Sequence, residues 1–243
     1  MGKKFKTRYQ IPFYESDVNH NVKLPHILSV ALQIASDQSV SLGLGDERIF
    51  KDYNLVWVVS EHEVTIDRLP RFNEIVEIET EPISYNRYFC YREFRIYDQN
   101  GEKLVDIFST FVLMDYDTRR VHDVPEDLVA PYESEKIRKI LRGPKYKALE
   151  KATDTLYHVR YFDLDINGHV NNSRYLEWMY DVLDFNFLKT YTPKKINLKY
   201  VKEVQYGSDI ESRLEQDGLI TKHEITSNGY VNAQAITQWE KYN

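Results

Sequence analysis

The chain has 243 residues, a net charge of −6, 42% apolar and 14% aromatic residues. That length suits one large domain or two of roughly equal size. The acidic balance argues against a general nucleic-acid binder, the single cysteine, Cys90, excludes an intrachain disulfide framework, and no apolar run is long enough to span a membrane.

The opening, Met1-Gly2-Lys3-Lys4-Phe5, lacks the apolar stretch of a secretory signal, so a cytoplasmic protein is expected. A short aromatic strand leads to Asp17-Val18-Asn19-His20-Asn21-Val22. Ile27, Leu28, Ala31, Leu32, Ile34 and Ala35 then form an apolar stripe that predicts a helix over about 24–43. Alternating segments at 54–68, 74–85, 88–98 and 103–116 predict four strands, the last two joined by a turn at Asp98-Gln99-Asn100-Gly101. A stretch over 125–152 reads as a linker, punctuated by Pro125, Pro131 and Pro144, with a short helix expected at about 133–141. From Ser134 to Lys151 it carries seven basic and two acidic residues.

The order then repeats. Asp165-Ile166-Asn167-Gly168-His169-Val170 stands 148 positions after the first polar motif. A helix is expected over about 172–188, with Tyr175, Leu176, Met179, Val182 and Leu183 on one face. Strands are expected at 194–204, 209–216, 219–226 and 230–242, with turns at Asp217-Gly218 and Asn228-Gly229. Each half is thus a strand, a long helix and four strands: an α+β chain whose two sheets can pair edge to edge and cover their edges. The boundaries read as 1–124, a linker 125–152, and 153–243.

Asp165, Asn167 and His169 form the densest chemistry in the chain. Asn and Asp also serve helix-capping turns. A capping turn needs one such residue rather than a series, however, and histidine titrates near working pH. The helix opening beyond them, with the N–H groups of Val170, Asn171 and Asn172, can stabilise a developing oxyanion. Glu203 ends the strand that follows this helix and, on its own, reads more readily as an exposed strand-end carboxylate. No metal-ligand spacing appears among the histidines, and no phosphate-binding glycine loop is present, so neither a metal nor a cofactor is expected.

Asp165-Ile166-Asn167-Gly168-His169-Val170-Asn171-Asn172 resembles the D-x-N-x-H-V-N-N signature of the acyl-acyl-carrier-protein thioesterases of plant plastids and bacteria, and Tyr175 and Trp178 fit the helix that follows. The resemblance runs over essentially the whole chain. It implies a tandem, or double, hotdog, each half a long helix wrapped by an antiparallel sheet. It also implies hydrolysis of a thioester between a fatty acyl chain and the phosphopantetheine arm of an acyl carrier protein. In plant members an acidic residue followed by cysteine ends the strand after the helix; here the pair is Glu203-Val204, which puts a thiol nucleophile in doubt. Direct attack by water is expected instead. Glu203, aided by His169, would act as base. Asn167 would either donate to the oxyanion or hold the water. Asp165 would orient both or compete for the base role.

The first repeat carries Asn21 where His169 stands and, by alignment, Arg68 where Glu203 stands. The resemblance implies that this half holds the acyl chain, with Leu28, Leu32, Trp57 and Phe111, along with Ala31, Ala35 and Val59, as its expected lining. An acidic carrier would need a local basic patch, for which Arg68, Arg71, Lys194, Lys195 and Lys199 or the linker run from Lys136 to Lys147 are candidates. Two other readings stay open: an acyl-CoA thioesterase of the same fold, and a non-catalytic acyl-binding regulator. A monomer and a homodimer are both compatible with the sequence.

Overall fold

The structure is a computed structural model that describes residues 2–242. The first half runs β1 (Phe5–Gln10), α1 (Leu24–Ser41), α2 (Asp46–Tyr53), β2 (Leu55–Ile66), β3 (Ile75–Tyr85), β4 (Phe89–Tyr97) and β5 (Lys103–Asp115). Short elements follow: β6 (Val121–His122), α3 (Glu126–Val129) and β7 (Glu135–Lys136). The second half runs β8 (Thr153–His158), α4 (Asn172–Asp181), α5 (Phe185–Thr190), β9 (Tyr191–Tyr200), β10 (Asp209–Asp217), β11 (Ile220–Ser227) and β12 (Tyr230–Lys241).

The strands form one continuous sheet in the order β1-β3-β4-β5-β2-β9-β12-β11-β10-β8. The order is the same in each half, read outward from the centre. The halves meet where β2 and β9 pair antiparallel, from Glu61 opposite Lys199 to Thr65 opposite Lys195. Strand alternation sends every second side chain to the face that carries α1 and α4. There Ile27, Leu28, Ala31 and Ile34 of α1 and Tyr175, Leu176 and Met179 of α4 are buried in one core with Val64, Ile78, Phe94, Ile107, Ile196, Leu198 and Ala235. Each of the Val, Leu, Ile, Met and Phe side chains among them contributes about 1.5–3 kcal/mol on burial. Because the core is shared, neither helix buries its stripe against its own sheet alone.

Three expectations are corrected. The second long helix stops at Asp181, because the Asp184 carboxylate accepts from the N–H groups of Asn186 (2.8 Å) and Phe187 (3.1 Å) and starts α5 afresh. No helix forms over 133–141. That backbone bonds to the sheet instead: β7 pairs with Ser84–Tyr85, Lys139 accepts from the Asn86 amide at 3.1 Å, and the Leu141 N–H reaches the Tyr91 hydroxyl at 3.0 Å. The short helix in this region is α3, further upstream. Finally, β9 ends at Tyr200 rather than Val204, since the N–H groups of Val201 and Lys202 both turn to the Asn232 carbonyl.

Candidate active site

The two polar motifs fold into the same turn. Asp165 Oδ1 accepts from the Asn167 N–H at 2.8 Å, the Asp165 carbonyl accepts from Gly168, and the Asp165 N–H donates to the His169 carbonyl at 2.8 Å. Asp17 makes the matching three bonds with Asn19, His20 and Asn21. The fourth residue of each turn needs a left-handed backbone: Gly168 has φ +76° and His20 φ +63°. Glycine meets that need without a Cβ penalty, so the strain falls on the first turn only.

What the turns present differs. His169 Nε2 lies 3.3 Å from Glu203 Oε2, and the other oxygen of Glu203 is paired with the Arg119 guanidinium. Both His169 and Glu203 keep about a quarter to a third of their side chain open to solvent (26% and 35%). The stretch that carries Glu203 is fixed on both sides: the Asn232 amide donates to the Lys202 carbonyl at 3.1 Å, and the Val204 N–H donates to the Tyr175 hydroxyl at 3.0 Å. Burial pushes that hydroxyl up to about 12, so it stays a neutral acceptor. Val204 itself is buried in the core. In the first turn, the Asn19 amide donates to the Leu188 carbonyl at 3.2 Å and the Asn21 amide to the Tyr242 hydroxyl at 3.1 Å. These two amides tie the first turn to the second half.

The helix opening delivers part of what the sequence suggests. Asn171 caps α4, its Oδ1 accepting from Ser173 N–H at 3.0 Å, and its own N–H is engaged by the Asp163 carbonyl at 2.8 Å. Asn171 therefore does not offer an oxyanion donor. Val170 and Asn172 flank it, and Asn172 borders a cavity that opens here. Beneath the turn, Asp163 is fully buried. Burial pushes its carboxyl up, but hydrogen bonds from Arg160 and the nearby Arg174 charge outweigh this and hold it below the usual range.

A cavity of about 240 Å³ opens beside the second turn and extends into the first half. Asp165, Asn167 and Asn172 border it at one end, and Leu32, Ala35, Trp57, Val59 and Phe111 line it further in. Leu28 and Ala31 do not: they pack in the shared core, on the part of α1 that faces α4 and the seam. The cavity follows one rung of the sheet, Val59 opposite Phe111 and Phe111 opposite Cys90. Cys90 is a lining residue whose thiol burial pushes up to about 12, far from the thiolate a nucleophile needs. A broader groove of about 1490 Å³ is built the same way around the first turn, from Asp17 and Asn19 against Trp178, Tyr180 and Trp239. Its turn has Asn21 in the histidine's place, and the imidazole–carboxylate pair that lines this groove, His26 Nε2 to Glu177 Oε1 at 3.9 Å, comes from α1 and α4 instead.

Of the expected basic residues, Arg68, Arg71, Lys194 and Lys195 do not line this cavity, whereas the linker run starts beside it, Lys136 pairing with the lining residue Tyr85. Arg68 is held by both oxygens of Glu74 (2.9 and 2.8 Å), and Arg71 sits opposite Asn21, beside the first turn. Lys194 donates to the Asp67 carbonyl at 2.7 Å, and Lys195, on β9 opposite Thr65, is exposed. Arg119, which does reach the site, was missed by sequence reasoning. It lies on the turn after β5 with φ +53°, and no pattern ties that turn to a carboxylate 84 positions later.

Models of the N-terminal and C-terminal domains of acyl-ACP thioesterases match residues 2–132 and 146–241. The chloroplastic oleoyl-acyl carrier protein thioesterase of Coriandrum sativum is 26% identical over 254 aligned positions, covering 96% of this chain and 69% of that protein. The chloroplastic palmitoyl-acyl carrier protein thioesterase of Arabidopsis thaliana is 26% identical, with 87% and 55% covered. The chain thus spans between about half and just over two thirds of the length of such relatives. Among solved structures, a Lactobacillus plantarum protein described as an oleoyl thioesterase superposes with a TM-score of 0.93 at 32% identity, covering 100% of this chain and 98% of that one. The 12:0-ACP thioesterase of Umbellularia californica shares the fold, with a TM-score of 0.84 at 22% identity and 98% of each chain covered.

Proposed function

Because the chain belongs to the acyl-acyl-carrier-protein thioesterase family, we propose that it hydrolyses fatty acyl thioesters of an acyl carrier protein and releases the free fatty acid. The observation that carries this reading is the His169–Glu203 pair, 3.3 Å apart, with His169 on the turn whose Asn167 borders the cavity that extends into the other half. The acyl chain lies along Leu32, Trp57 and Phe111, which brings its thioester carbonyl to Asn167 and the opening of α4. Water attacks that carbonyl. Its proton passes to the His169–Glu203 pair, and the negative oxygen is stabilised by the Asn167 amide and the N–H groups at the helix opening. Collapse of the tetrahedral species breaks the C–S bond, and the imidazolium returns the proton to the departing thiolate. The products are a carboxylate and the free phosphopantetheine thiol.

Arg119 and His169 hold opposite oxygens of Glu203, so the carboxylate is oriented from both halves. Val204 and the protonated Cys90 supply no nucleophile, which favours water over a covalent acyl-enzyme. The test is fatty-acid release by the wild-type protein from acyl groups carried on acyl carrier protein and on CoA. We expect a higher kcat/KM on the carrier; equal or better turnover of the CoA ester would assign the protein to CoA substrates, and no release from either would end the reading.

A further inference from the structure

The groove around the first turn takes no part in the proposed hydrolysis, yet it is built on the plan of the acyl cavity. In the first half, Val59 of β2 stands opposite Phe111 of β5, and both line the cavity. In the second half, Pro193 of β9 stands opposite Trp239 of β12, and both line the groove. The strand order is the same read outward from the seam, and in each half a bulge follows at once, at Ser60 in β2 and at Lys194 in β9. These are therefore the same rung of the repeat. The helices match as well: Leu32 of α1 lines the cavity, and Tyr180, 148 positions on, lines the groove from α4. Trp178 and Leu188 add to the apolar wall, and the volume of about 1490 Å³ exceeds the ~300–1,000 Å³ of a typical small-molecule pocket.

Where the groove meets the opening of α1 it is polar. Lys23 stands in the place that Asn171 holds before α4, and its side chain does not cap the helix. Its ammonium donates only to the Tyr14 carbonyl, at 3.1 Å, and among the described residues no carboxylate lies within ion-pair distance of it. His26, three residues on, has its Nδ1 buried without a hydrogen-bond partner, and its Nε2 stands 3.9 Å from Glu177 Oε1, too far for a hydrogen bond. Burial lowers the pKa of this imidazole below its ordinary 6.5, against the pull of Glu177, so the ring is neutral at pH 7. The carboxylates lining the groove are engaged elsewhere. Glu177 pairs with Arg174, Asp181 accepts from the Tyr157 hydroxyl at 2.8 Å, and Asp17 accepts from the N–H groups of Asn19 and Asn21. A cation and an imidazole without an anionic partner thus stand at the head of an apolar trough. A carboxylate on a long alkyl chain suits both parts: the trough takes the chain out of water, and the head receives charge-assisted hydrogen bonds.

We propose that this groove is a second binding site, separate from the acyl cavity, that takes a free long-chain fatty acid. The chain lies along Trp178, Tyr180 and Trp239, and the carboxylate meets Lys23 and His26. The choice of an alkyl chain rests on the thioesterase reading of the first cavity; binding itself needs no turnover.

The three tryptophans divide between the two sites, Trp57 in the cavity and Trp178 and Trp239 in the groove. In Trp57→Phe the indole emission therefore comes from the groove alone, and a fatty acid dibrominated at mid-chain, whose bromines quench on contact, is the probe. Saturable quenching is expected. Its Kd is expected to rise at least about tenfold when Lys23→Glu is added, or when the probe is the matching fatty alcohol. Absence of saturable quenching, or an unchanged Kd in either comparison, would overturn the proposal. Equilibrium dialysis against hexadecanoate keeps every tryptophan in place: at the same free concentration, wild type is expected to bind more ligand than Lys23→Glu, and equal loading would overturn the proposal. Failure of wild type to hydrolyse any acyl carrier would end the thioesterase reading and leave these binding measurements to decide the groove.

Discussion

Two turns with the same backbone bonds have taken different work because of a few side chains. His169 and Glu203 form a pair, while Asn21 at the matching position is fastened to Tyr242 and Asn19 to the carbonyl of Leu188. This much was readable in the sequence: the spacing of Asp165, Asn167 and His169 marked a polar turn at a helix opening, and the repeat 148 positions earlier marked its degenerate copy. The Glu203 pairing came from family resemblance, since a strand-end carboxylate has no local signature. Arg119 could not be read at all, because its contact depends on how the hairpin after β5 lies over the other half. The engaged N–H of Asn171 was equally out of reach, since capping residues and oxyanion donors look alike in sequence.

At the scale of elements, alternation located the strands well, since a half-buried sheet repeats every two residues. Side chains decide one of the misread boundaries: Val182 and Leu183 continue the apolar stripe, so α4 and α5 read as one helix, and only the Asp184 cap separates them. Opening α4 correctly matters more, because it sets where Val170 and Asn172 stand. Replacing the cap, Asn171→Ala, leaves Ser173 N–H without its partner and is expected to cost about 1 kcal/mol of stability by chemical denaturation. Stability equal to wild type would mean that Asn171 does not hold this end of the helix.

At the scale of the molecule, the continuous sheet makes one body of two repeats, and the candidate site draws on both: the His169–Glu203 pair stands in the second half and most of the cavity lining in the first. The shared interior also buries two neutral histidines. Burial lowers His62 to about 4, with Nδ1 against Ser109 Oγ at 2.7 Å, and lowers His223 to about 3, with Nε2 against Thr221 Oγ1 at 2.8 Å. The unfolded chain takes up these protons first as pH falls below the ordinary 6.5, so the stability they contribute is complete above that value. It is lost on descending through about 4 for His62 and about 3 for His223. Unfolding free energy is expected to fall by a few kcal/mol between pH 6.5 and 4, with a shallower slope in His223→Gln; a flat profile would show that neither imidazole is buried neutral.

The account stands on the His169–Glu203 pair acting on a thioester held from the opposite half. Its most direct test is steady-state fatty-acid release from an acyl carrier by Glu203→Gln and His169→Ala, each checked for a native fold. Each is expected to lose roughly 10²–10⁴-fold in kcat. Wild-type turnover in either folded variant would contradict the account.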